Sequence, residues 1–174
     1  MRLFSTAACI ALACLAAFPL IAGAQQMPNP YGESIGLDAA RKAADAALAE
    51  AKKNSWNMAV AIVDPHGELV FFARMDPTQH GSIRVAQEKA RSAAQFKRPT
   101  KVFEDAVKGQ NINLMGLPGA VPVEGGVPIV LSGKIVGAIG VSGGTSAQDG
   151  QCAKAGIDAI TPQAQAGQGT TPQR

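Results

Sequence analysis

The stretch Leu117–Gly144 constrains the fold more than any other part of this chain. It reads Leu-Pro-Gly-Ala-Val-Pro-Val-Glu-Gly-Gly-Val-Pro-Ile-Val-Leu-Ser-Gly-Lys-Ile-Val-Gly-Ala-Ile-Gly-Val-Ser-Gly-Gly, apolar runs punctuated by glycine. Glycine inside a strand costs conformational entropy and offers no side chain to pack. A sequence that accepts that cost repeatedly builds tight hairpins, a bare-backbone surface for close approach, or both. Three short strands are expected, over 120–123, 127–131 and 135–142, joined by Gly125-Gly126 and by Ser132-Gly133-Lys134.

The rest of the chain supplies the elements around this sheet. Leu37, Ala40, Ala44, Leu48 and Ala51 repeat at helical spacing, with Asp38 early and Lys52 and Lys53 late, so residues 37–54 read as a helix. Met58–Val63 is a buried strand, Asp64-Pro-His-Gly67 a tight turn and Glu68–Arg74 the returning strand. Ser82 is placed to cap a helix running to Arg98, which Pro99 ends. A short helix from Thr100 through Val107 follows, closed by Gly109, then an irregular loop over 111–119. Ser146–Ile160 is the last helix. Sequential strands with short turns give one antiparallel sheet of five strands flanked by helices, an α+β domain.

The ends read differently. Arg2, the apolar run Cys9–Ile21 and Ala22-Gly23-Ala24 have the form of a secretory signal over residues 1–24, cleaved after Ala24, which implies a periplasmic or secreted protein. A lipoprotein reading at Cys14 is disfavoured by Ala11, where a lipobox wants Leu. Residues 25–36 form a flexible lead-in, 37–160 the domain and 161–174 a disordered tail rich in Gln, Thr, Pro and Gly. Removing 24 of 174 residues leaves 150, one domain of ordinary size. Only Arg2 leaves with the signal, so the net charge falls from +3 to +2, too weak for a nucleic-acid partner. No second apolar run is long enough to cross a membrane. Of three cysteines only Cys152 remains, which excludes an intramolecular disulfide; it shares a helical face with Ala155, Gly156 and Ala159 and is expected to be buried.

Several short motifs carry a family resemblance through their order. They are Val60-Ala-Ile-Val-Asp64 with Gly67, Arg74-Met-Asp76, Lys89-Ala-Arg-Ser-Ala-Ala94 and Arg98-Pro-Thr100. Further along come Leu117-Pro-Gly119, Gly125-Gly-Val-Pro128, Gly137-Ala-Ile-Gly-Val-Ser-Gly143, Asp149 and Ala153-Lys-Ala-Gly156. Over roughly residues 36–160 the chain resembles the GlcG/HbpS-like family of small haem-binding proteins. The resemblance implies a profilin-like fold, homo-oligomers built from dimers up to octamers, and haem or a related tetrapyrrole as ligand in some members. Other members lie beside catabolic genes.

Haem needs an apolar slot, an axial ligand and cations or amides for its propionates. The resemblance directs attention to a slot between the 111–120 loop and the helices, lined by Leu114, Met115, Leu117, Pro118, Gly119 and Val121. His80, just before the Ser82 helix, is the favoured axial ligand and iron contact. Met115 is a sulfur alternative that also suits packing, and His66 sits at a hairpin tip where histidine is usually solvated. Arg74, Lys89, Arg91, Arg98 and Lys101 are candidate propionate partners or a solvated helix face, and N–H groups at the Thr100 helix start suit an anion.

Other chemistries fit poorly. Gly140-Val-Ser-Gly-Gly144 spells a hydrolase elbow, but no histidine follows Ser142, so turn formation and helix capping are the expected roles. The glycine spacing is not the dinucleotide pattern, and no paired His or Cys suggests zinc. Glu124 is either a strand-end charge or a general base, and Asp149 is expected to stabilise the first turn of the last helix. The leading reading is an exported, non-catalytic haem-binding oligomer for haem capture, storage or protection. The alternative is an enzyme or accessory protein acting on a small organic acid, with Glu124, Ser142 and His80 as reactive groups.

Overall fold

The computed structural model describes residues 28–161; the expected signal segment, the first residues of the lead-in and the tail beyond Thr161 lie outside them. In chain order the elements are α1 (Leu37–Lys53), β1 (Ala59–Val63), β2 (Leu69–Arg74), α2 (Gly81–Phe96), α3 (Lys101–Lys108), a 3-10 turn (Ile112–Gly116), β3 (Gly126–Leu131), β4 (Lys134–Ser142) and α4 (Ser146–Ile160). The four strands form one antiparallel sheet in the order β2-β1-β4-β3.

The two faces of this sheet differ in side-chain size. Val60 and Ile62 of β1 stand opposite Val141 and Ile139 of β4 and, with Ile129, meet α1 and α4. Those helices present small residues in return: Ala40, Ala43, Ala44, Ala47 and Ala51 from α1, Cys152 and Ala153 from α4. On the other face Ala59, Ala61 and Val63 stand opposite Ser142, Gly140 and Ala138, and α2 lies against them through Ala86, Ala90, Ala93 and Ala94. Here the glycines set the distance between layers. A Cβ at Gly140 would fall 2.0 Å from the Ala86 carbonyl oxygen, and one at Gly126 would fall 2.2 Å from that of Lys89. The α2 backbone therefore rests on bare sheet backbone, with no room for a methyl group.

The sheet has four strands, not five. The strand expected over 120–123 does not form because its donors are engaged elsewhere. Ala120 N–H donates to Leu117 O at 3.1 Å, Val121 N–H to Ser92 Oγ at 3.1 Å, and Pro122 has no N–H. β3 is consequently an edge strand, the position where its central Pro128 is tolerated.

Two helix starts also differ from expectation. Ser82 lies inside α2 and caps nothing. Neither Ser146 nor the Ser142–Gly144 turn caps α4; Thr145 does, in a reciprocal box in which Gln148 N–H donates to Thr145 Oγ1 and Thr145 N–H to Gln148 Oε1. The β1–β2 turn forms as read, with Gly67 at φ +93° and the Asp64 carboxylate accepting from the N–H groups of His66 and Glu68.

The lead-in, expected to be flexible, is tied down from Pro30. Ile135 N–H donates to Pro30 O, Gly32 N–H to Ile135 O and Ile35 N–H to Val136 O, each at 2.8 Å, so this segment runs beside β4 where β1 has ended. Ile35 enters the core, and the Tyr31 hydroxyl donates to the carbonyls of Ala94 (2.9 Å) and Gln95 (3.2 Å) at the end of α2. Cys152 is buried as expected, and burial, with the nearby charges of Glu50 and Asp149, pushes its thiol up to about 11.

Candidate functional site

The polar residues singled out in the sequence converge where β3 begins and β4 ends. Lys89 is 1% exposed, and its ammonium donates to Glu124 O (2.7 Å), Val141 O (3.2 Å) and Asp149 Oδ2 (2.6 Å). This places the Lys89 cation in the core, joined to α4, with no proton left for a propionate. Gly125 makes the arrangement possible, since a Cβ there would stand 2.9 Å from Lys89 Nζ and 2.6 Å from Val141 O. Asp149 also accepts from Gly144 N–H at 3.0 Å. Burial pushes its carboxyl upward, and the pull of Lys89 and the Gly143 and Gly144 amides does not cancel that.

A second carboxylate clamps the same segment. Glu104 of α3 accepts from Glu124 N–H at 2.5 Å, from Ser146 Oγ at 3.1 Å and from Lys108 Nζ. Burial acts to raise the Glu104 carboxyl, but these three donors outweigh it and hold the group below its ordinary value. Residue 124 is thus held by its N–H from α3 and by its carbonyl from α2. Its own carboxylate lies along α4, so close that a Cβ at Gly150 would stand 2.3 Å from Oε1.

Ser142 donates to Ser82 Oγ at 3.2 Å, a serine–serine pair that offers no base. Thr100 N–H donates to Gly126 O at 2.9 Å and its hydroxyl accepts from Gly126 N–H at 2.9 Å, so Thr100 extends the edge of β3 instead of holding an anion. These groups form a structural knot.

The apolar candidates lie elsewhere. Of nine large apolar side chains left exposed among the described residues, five fall between Val102 and Val123. Ile112 is 67% exposed, Met115 69% and Leu117 38%, and Pro118 is exposed too. The 111–119 loop is therefore a protruding ridge, not the wall of a closed slot. At its end Gly119 (φ +80°) lies against Gln95 and Phe96 of α2. Arg98 is exposed nearby, donating from Nε to Phe96 O at 3.1 Å with its guanidinium 5.9 Å from the Phe103 ring centre. Lys97 Nζ stands 4.1 Å over the Tyr31 ring. His80 is exposed at the opposite end of α2, 15 residues from Gln95, which is about 22 Å along a helix axis. One subunit therefore does not bring His80 to the part of the ridge that meets α2.

Comparison with known proteins gives these residues a context. Residues 35–158 match the family described as "Haem degrading protein HbpS-like". The chain belongs to the HbpS-like family. Over 93 residues it is 44% identical to Protein GlcG of Escherichia coli (strain K12), a match spanning 53% of this chain and 69% of that protein. The fold superimposes on the crystal structure of HbpS with a TM-score of 0.69 at 32% identity, covering 74% of this chain and 92% of that one. It also superimposes on the crystal structure of a PduOC:Heme complex with a TM-score of 0.67 at 27% identity, covering 73% and 95%.

Among its described residues this HbpS-like chain carries the donor types that a tetrapyrrole takes, without one subunit gathering them all. The ridge supplies apolar surface, Met115 a thioether, His66 and His80 exposed imidazoles, and Lys97 and Arg98 cations without an acidic partner among the described residues. Sequence reasoning missed Glu104 and the anchoring of Tyr31, because both act through contacts distant along the chain.

Proposed function

We propose that this protein is an exported haem-binding protein that captures, stores or guards haem without turning it over, working as a homo-oligomer built from dimers. The observation that carries the reading is the exposed ridge Ile112–Leu117, whose continuation at Gly119 meets the end of α2 just before Lys97 and Arg98, two cations without an acidic partner among the described residues, in a family member whose fold matches a protein crystallised with haem. Bound haem supplies an iron whose reactivity follows its axial donor. The chain's own contribution is to remove water from the macrocycle with Ile112, Met115 and Leu117, to meet propionates with Lys97 and Arg98, and to keep the approach open at Gly119. Chemistry on a small organic acid has no observation in its favour, since Ser142 faces a serine and Glu124 lies along α4.

The test is a haemin titration followed through the Soret band, repeated with ascorbate in air. Saturable, stoichiometric binding with a stable band is expected. A response matching that of haemin with an unrelated protein would overturn the haem reading, and bleaching under ascorbate would overturn the non-catalytic part while leaving binding intact. Intact mass of the protein recovered from a periplasmic extract checks export, the expected first residue being Gln25.

A further inference from the structure

We propose, resting on the haem reading, that His66 and not His80 is the imidazole that serves the apolar ridge. The C-terminal half of α2 gathers three segments that are far apart in sequence. The β1–β2 turn is bound first: Arg91 Nε donates to Gly67 O at 3.1 Å, and a Cβ at Gly67 would stand 3.4 Å from Gln95 Nε2. The ridge arrives from the other direction, where a Cβ at Gly119 would stand 3.4 Å from Gln95 Oε1. One carboxamide thus touches both turns, and with amide dimensions added the two positions lie within about 9 Å of each other. The third segment is the lead-in, whose Tyr31 hydroxyl bonds the carbonyls of Ala94 and Gln95 while Lys97 stands over its ring.

His66 immediately precedes Gly67 and is exposed. Its backbone is fixed, because its N–H donates to Asp64 Oδ1 at 2.8 Å, whereas its imidazole makes no hydrogen bond among the described residues. An imidazole with free nitrogens is a metal ligand near neutral pH. His66, one residue from Gly67, is therefore the histidine whose backbone stands at the helix end that Gly119 meets, with Leu117 and Pro118 within two residues of that contact and Lys97 two residues beyond Gln95. Arg91, at this patch too, is engaged with Glu88 at 2.9 Å and with Gly67, which leaves Lys97 and Arg98 as the cations for a carboxylate.

The experiment compares the haemin spectra of the protein and its His66→Ala, His80→Ala and His66→Gly variants. His66→Ala is expected to move the Soret band to a different ligand class, His80→Ala to leave it in place, and added imidazole to restore the parent spectrum in His66→Gly. Gallium protoporphyrin gives a second readout by NMR, in which ring current is expected to shift the His66 imidazole signals and leave those of His80 unmoved. A spectrum that depends on His80, or on neither histidine, overturns the assignment while leaving haem binding intact. Absence of saturable binding by the unsubstituted protein is a separate result, which removes the haem reading itself.

Discussion

Taking an ammonium and a carboxylate out of water costs several kcal/mol per ion, offset only when the remaining donors and lone pairs are satisfied. At Lys89 each ammonium proton has an acceptor, and Asp149 adds the Gly144 amide to its ion pair. Replacing Lys89 by Met leaves the Asp149 charge buried and unpaired, with an expected loss of about 3–5 kcal/mol in urea unfolding. Lys89→Met combined with Asp149→Leu is expected to regain most of that loss, since two apolar groups remove both desolvation costs. A double variant as weak as the single one would show that the pair is not the source. From sequence Lys89 reads as a propionate partner or part of a solvated helix face, and its burial corrects that, although a signal was present. Lys89 shares a helical face with the apolar residues Ala86, Ala90 and Ala93, and a charge on such a face needs a buried partner. Which partner was not legible, because Asp149 lies 60 residues away and reads locally as a residue of the first helical turn.

Elements came out of the sequence to within a residue or two wherever the local pattern governed them. α1, α3, α4, the β1–β2 hairpin and the β3–β4 hairpin all follow from period, turn residues and charge. The failures came where tertiary contacts outbid local pattern. Residues 120–123 have the composition of a strand, but their amide groups are claimed by Leu117 and Ser92, an outcome settled by how closely α2 approaches. That closeness depends on glycine. Gly140→Ala would drive a methyl group into the Ala86 carbonyl and the Ala90 amide, both backbone atoms that cannot swing aside. The expected destabilisation is at least about 1–3 kcal/mol, read as a lower urea midpoint. An unchanged midpoint would mean that α2 can lift off the sheet without cost.

Across the whole molecule, Glu104 links α3, the approach to β3 and the start of α4. Its carboxyl is held below its ordinary value, so the folded state binds that proton less readily than the unfolded one. The stability this contributes is present above the ordinary carboxylate value of about 4.3 and is lost as pH falls through the lower folded value. Melting temperature is therefore expected to fall more steeply with acid in the parent than in Glu104→Gln, whose side chain does not titrate in that range; equal acid limbs would locate the titration elsewhere. The packing of helices on the faces of a sheet was readable from hydrophobic period, and Met115, Leu117 and Pro118 stand out in the sequence as candidates; that they stand exposed on a ridge instead of lining a slot was not readable. A ridge of exposed apolar residues has the same local sequence as a buried loop, and only the tertiary position of residues 112–119 tells the two apart.

The anchoring of Tyr31 has a practical meaning for anyone handling the protein. Because its hydroxyl is fastened to the same helix end that meets Gly67 and Gly119, the described chain begins only three residues before a side chain of the proposed haem surface. α4 runs along the other side of the sheet, so the chain departs from Thr161 in a different layer. A purification handle joined directly before residue 28 would start beside that surface and is expected to lower apparent haem occupancy, whereas one joined directly after residue 161 would start in the other layer.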